Sequence, residues 1–154
     1  MTYVIEGLDP APFAALFACD DAALAQRNIV AVTAADAGYP CRISLAEAMP
    51  GDRLLLINHV HQPAASPYRA AHAIYVAAGS RTKAVYRDAI PPIMQTRTLS
   101  IRAFDRSDMI IDAELGEGAD AEALIERLLA IPETAYLHVH FAKRGCFAAA
   151  VRRG

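Results

Sequence analysis

Tryptophan is absent, and aromatic residues of all kinds make up only 7% of the 154 positions, which leaves few flat faces on which bases could stack. Charge of one sign is also missing. The 15 Lys and Arg stand against 17 Asp and Glu, so no basic field argues for a nucleic-acid partner. Cysteine is sparse and odd in number. Cys19, Cys41 and Cys146 show no C-x-x-C spacing, which excludes both a disulfide framework and the usual zinc or thiol-redox motif. No apolar run reaches membrane-spanning length, and the opening MTYVIEGLDPAP has no basic stretch followed by an apolar one. The expectation is a reduced, cytoplasmic protein with no membrane partner. Repeats, linkers and low-complexity tracts are lacking too, so residues 1–154 read as a single domain large enough to bury a core. The 55% apolar fraction, inflated by alanine, hints at a homodimer interface.

What is present is a series of short strands. Residues 3–8 read as a strand. Asp9 followed by Pro10 starts a short helix, and Asp20 and Asp21 cap a second one running to about residue 26. Cys19, beside these acids, reads as a packing residue. Strands are expected at 28–33 and 41–45, around a turn at 36–40. After the Met49-Pro50-Gly51-Asp52 turn comes the strongest strand of the first half, 53–61, apolar on both faces at its start and therefore central. Another strand covers 72–76, and a short one lies near Val85. Segments 97–104 and 109–115 form a hairpin. One clean apolar face results when Leu99, Ile101 and Ala103 oppose Ala113, Ile111 and Met109, which pairs Arg102 with Ile110. Residues 120–131 are the principal helix, with Asp120 as cap, Pro132 as stop, and a stripe of Ala121, Leu124, Ile125, Leu128 and Leu129. Strands 136–141 and 146–151 close the chain. The class is α+β, a mostly antiparallel sheet with one principal helix and short N-terminal helices.

Chemistry concentrates in YLHVHFAKRGC, residues 136–146. With a period of two, Tyr136, His138 and His140 share one strand face and Leu137, Val139 and Phe141 the other. His59 and His61 form a second His-x-His pair, and His72 is the fifth histidine. Imidazoles two apart on a strand lie about 6.6 Å apart and can converge on one point. A divalent metal held by His59, His61, His138 and His140 is therefore one reading, although no acid stands at ligand spacing, and no other cofactor is expected. Imidazoles that are merely half-buried and hydrogen-bonded are the competing reading. The turn at Lys143, Arg144 and Gly145, together with Arg69 and Arg102, has the donors to hold a phosphate or carboxylate. Cys146 faces the histidines if Ala142 stands opposite it, and the core if Phe141 does.

Familiar His-x-His signatures do not fit. A cupin would place a Glu shortly after His61, where Gln62, Pro63 and Ala64 stand. A histidine-triad hydrolase would continue the alternation where Ala142 stands. Two-histidine phosphoesterases pair each His with Ser or Thr. Gly116-x-Gly118-x-x-Ala121 superficially matches a dinucleotide loop, but Glu117 and Asp120 would repel a pyrophosphate there, and a helix cap is the simpler reading.

Four motifs in order, PCRISL (40–45), LLLINHVHQPAASPYRAAHAIYV (54–76), LSIRAFD (99–105) and YLHVHFAKRGC (136–146), resemble a small bacterial family known only as a domain of unknown function. The resemblance implies no activity. This chain departs from the family pattern at Ala70 and Ala71, where small hydroxyl residues are usual, and at Phe141, where a polar amide is.

Two functions remain. The first is an enzyme, or a binding protein, for a small anionic molecule in a pocket lined by His59, His61, His72, His138 and His140. There Arg69, Arg102, Lys143 or Arg144 would hold the anion, an imidazole would move a proton, and Cys146 or Cys41 would be the nucleophile. The second is a non-catalytic, dimerising or partner-binding module with structural histidines. The convergence of the imidazoles in one hollow separates the two.

Overall fold

In a computed structural model that describes residues 1–154, the strands divide between two antiparallel sheets. The larger is built from β1 (Tyr3–Glu6), β5 (Val85–Arg87), β6 (Thr98–Phe104), β7 (Ile110–Glu117), β8 (Tyr136–Phe141) and β9 (Phe147–Arg153), in the order β5-β1-β9-β8-β6-β7. The smaller holds β2 (Val30–Thr33), β3 (Arg53–Gln62) and β4 (Ala70–Ala77), with β3 central. Short helices α1 (Ala14–Phe17), α2 (Asp21–Ala25) and α3 (Pro92–Gln95) lie in connections, and α4 (Ala121–Leu129) packs on β6, β7 and β8. Strand dominates and every sheet pairing is antiparallel, so the α+β class holds.

Each sheet has its own core. On the larger one, Leu99, Ile101, Leu137 and Val139 meet Ala121, Ile125, Leu128 and Leu129 of α4, all fully buried, each large side chain adding roughly 2 kcal/mol. On the smaller one, Leu54, Leu55, Ile74 and Val76 meet Phe13, Leu24 and the segment around Ile43. Asp20 caps α2, accepting from the Ala23 amide at 2.8 Å. Asp120 makes no such cap, because residues Gly118–Asp120 form a 3₁₀ turn that leads straight into α4.

Residues 41–45 are not a strand. Their alternating apolar side chains are buried, yet the backbone turns: Leu45 takes φ 54° and its amide donates to the Cys41 carbonyl at 2.9 Å. The segment instead bridges the two sheets. Arg42 N donates to Tyr75 O at 3.0 Å, and Arg42 O accepts from Leu8 N at 2.7 Å. Similarly, Asn28 with φ 56° delays the second strand until Val30.

The hairpin register also differs from expectation. Arg102 pairs with Ala113 rather than Ile110, and Ile101 faces Glu114. Acids thus share the face of α4, where Arg127 Nε donates to Glu114 at 2.5 Å and its Nη2 to Asp112 at 3.1 Å. Ion pairing to the helix replaces apolar matching as the reason for this edge-strand register, and Leu115 is left 68% exposed. The two nearby glycines are packing devices. A Cβ on Gly118 would sit 2.0 Å from the Met94 carbonyl oxygen, and one on Gly116 would sit 2.5 Å from Leu124 Cδ1. Gly118→Ala is therefore expected to cost about 2 kcal/mol, since backbone must move, measured as a lowered urea midpoint; an unchanged midpoint would show that this approach is looser than the geometry implies.

Candidate functional site

β8 is paired to β6 so that His138 stands beside Arg102 and His140 beside Ser100. Alternation puts all four on the sheet face away from α4. The smaller sheet covers this face and brings β3 with it. The His61 ring centroid lies 4.9 Å from that of His140 and 6.2 Å from that of His138, and the two β8 rings are 6.4 Å apart. Phe147 of β9 stacks on His61 at 5.4 Å and meets His138 edge-on at 5.2 Å. A pocket of about 240 Å³ opens over His61, His138, His140 and Arg102, with Arg69 and Tyr68 on its exposed rim.

Hydrogen bonds set the state of His140. Its Nδ1–H donates to Gly145 O at 3.0 Å and its Nε2 accepts from Arg102 Nη1 at 3.4 Å, which is the pattern of a neutral ring. Burial, reinforced by the Arg102 charge, holds His140 down at about 3 despite the bond to Gly145. Burial and the neighbouring His61 and Arg102 hold His138 at about 4. His61 is likewise held at about 4 by burial, His59 and Arg102. Nδ1 of His61 and Nδ1 of His138 are buried without a hydrogen-bond partner. Arg102 forms no ion pair with any acid, and burial pulls it below the ordinary arginine value. The site at neutral pH is one fixed cation among three uncharged imidazoles. Uncharged imidazoles with free nitrogens accept protons and hydrogen bonds, while the guanidinium binds negative charge.

Tyr136 supports the rim. Its hydroxyl donates to Asp108 Oδ1 at 2.6 Å and accepts from Gln62 Nε2 at 2.9 Å, tying the end of β3 to the β6–β7 loop. Burial, with the bond to Asp108, raises it to about 12, so it stays protonated.

The remaining residues named from the sequence lie elsewhere. His59 faces Phe13 and Phe147 at 6.2 and 6.3 Å and is not among the residues lining the pocket of the other imidazoles. His59 thus stands outside the pocket formed by the other three imidazoles, and both nitrogens of His140 are engaged. His72, opposite His59 across the β3–β4 ladder, is half-buried and lines a second pocket with Lys143, Arg144 and Cys146. Cys146 is on the core side because the Phe141 amide donates to its carbonyl at 2.9 Å, placing Phe141 opposite it. Its sulfur accepts from Arg42 Nη2 at 3.1 Å. Cys41 is buried in the smaller core. Burial raises its thiol, but bonds from Ser44, Ser80 and the Ala77 amide outweigh this and hold it below the ordinary value. Neither cysteine lines the pocket of His61, His138 and His140, and neither sulfur hydrogen-bonds an imidazole, so no Cys–His pair is assembled there. Sequence reasoning missed Arg42, Arg97 and Phe147. An arginine set inside the apolar run Cys41 to Leu45 was the available signal for Arg42.

The sequence model of a family described as a protein of unknown function, DUF1203, matches residues 38–153. That range takes in the imidazole pocket and the second pocket alike. No curated protein and no solved structure matches the chain.

Proposed function

From the premise that this chain belongs to the DUF1203 family, whose description carries no activity, we propose that it binds a small anion in the inter-sheet pocket and moves a proton there. Arg102 takes the negative group, with Arg69 at the rim, and His61 or His138 accepts a proton given up by an acidic O–H, N–H or C–H of the bound molecule. One observation carries this reading: a half-buried guanidinium without a carboxylate partner points among imidazoles, two of which have buried, unpartnered nitrogens. Buried polar groups are ordinarily satisfied, and a bound carboxylate or phosphate supplies the missing acceptors. A volume of about 240 Å³ suits a molecule of a few heavy atoms.

The test is titration of the full chain with acetate, lactate and inorganic phosphate, followed through the ¹⁵N shifts of the histidine rings. One of them is expected to shift His138 and His61 saturably. Arg102→Gln is expected to weaken it by about tenfold to a hundredfold, the worth of a charge-assisted hydrogen bond. Equal binding by wild type and Arg102→Gln would end this reading.

The scaffold alternative draws on a separate feature, the interleaving of the rings with Phe147, Phe104 and Tyr136. It predicts that His138→Phe stabilises the protein, and that no anion shifts the ring nitrogens.

A further inference from the structure

A larger hollow, of about 710 Å³, lies where the β8–β9 turn, the start of β6 and the segment 38–42 meet β4. None of its lining residues is Asp or Glu, in a chain of formal net charge −2. Four of them are cations: Arg42, Arg97, Lys143 and Arg144. Arg97 is compensated by Glu47 and by the Ile93 carbonyl at 2.7 Å. Lys143 and Arg144 are exposed on the turn that Gly145, at φ 77°, makes possible.

Arg42 is the unusual one. It is 1% exposed, and its donors go to Phe147 O at 2.8 Å, Pro40 O at 2.5 Å and Cys146 Sγ at 3.1 Å. No carboxylate pairs with it. Its guanidinium lies 5.0 Å from the Phe141 ring centroid, and that of Arg97 lies 4.8 Å from the same ring. Five N–H groups with three partners leave two free, and a buried cation without counter-charge is costly. A bound anion would supply both the charge and the acceptors. Three cations without an acid match a phosphate dianion better than a single carboxylate. Leu56 and Tyr75, partners across the β3–β4 ladder, give the same pocket an apolar wall.

We propose that this second pocket binds a phosphorylated small molecule with an apolar body, its phosphate held by Arg42, Lys143 and Arg144 and its body laid against Leu56 and Tyr75. The pocket shares no lining residue with the imidazole pocket, so the two proposals stand or fall separately.

Calorimetry on the full chain with 1-naphthyl phosphate, inorganic phosphate and 1-naphthol tests it. One equivalent of 1-naphthyl phosphate is expected to bind, at least about tenfold more tightly than inorganic phosphate, while 1-naphthol does not bind. Bound ligand is expected to slow alkylation of Cys146, which lines the pocket, and to leave Cys19 untouched. The double variant Lys143→Gln with Arg144→Gln changes only exposed turn residues and is expected to fold normally and bind about tenfold or more weakly. Arg102→Gln is expected to bind as wild type does. Absence of binding, unchanged binding by the turn variant, or binding that leaves Cys146 equally reactive would each overturn the proposal.

Discussion

Acidification from about pH 7.5 to about pH 5 is expected to strip this protein of several kcal/mol of stability. In the unfolded chain each imidazole titrates near 6.5, whereas burial holds His61 and His138 at about 4 and His140 at about 3 in the fold. Between those values the unfolded state carries the extra protons, so stability rises with pH. The contribution is complete above about 6.5 and is lost as pH falls toward the folded values. At about 1.4 kcal/mol per pKa unit, the roughly 1.5 units between about 6.5 and about pH 5 make either of the deeply buried rings, His138 or His140, account for about 2 kcal/mol in this range, against a total of about 5–15 kcal/mol for an ordinary domain. Asp108 partly offsets the effect at His138, and Arg102 strengthens it at all three rings. Urea midpoints read at a series of pH values check this. His138→Phe should flatten the slope by about one proton, and a midpoint that stays level from about pH 7.5 to about pH 5 would mean the rings are not held neutral.

The same rings show how far a sequence carries. Alternation put His138 with His140, and His59 with His61, on strand faces; His138 and His140 stand beside Arg102 and Ser100 of β6, and the rings of His59 and His61 both meet Phe147. Their meeting depends on one sheet lying over another, which no period of two encodes. His59 left the group because β3 runs past Phe147 and aims its first histidine at Phe13. The hairpin failed for a related reason: Asp112 and Glu114 answer to Arg127, whose helix comes later in the chain. Cys146 turned on parity alone, and the ladder placed it opposite Phe141. Residues 41–45 misled most, because an apolar run that is buried by covering a gap between sheets looks the same as one buried by pairing.

Arg42, inside that run, is where the largest single-residue loss is expected. Arg42→Ala removes the donors from two buried carbonyls and the Cys146 sulfur, and takes the alkyl stem and guanidinium off Phe141. Each buried acceptor left bare costs about 1–3 kcal/mol, so a loss of about 3 kcal/mol or more is expected from urea unfolding. Arg42→Lys keeps the charge and most of the stem, but a single ammonium cannot span three acceptors that lie around a planar fork. It should recover less than half of the loss. Burial and Arg97 pull the Arg42 guanidinium below its ordinary value while the Cys146 sulfur counteracts them; the native fold therefore carries a strained cation that a dianion would relieve. A ligand binding only the native state stabilises in proportion to the logarithm of its concentration over Kd. Adding 1-naphthyl phosphate should then widen the gap between wild type and Arg42→Ala, because only the wild type gains. A gap that stays constant as phosphate is added would assign Arg42 to the architecture alone, as the strut joining the 40–45 segment to the β8–β9 turn.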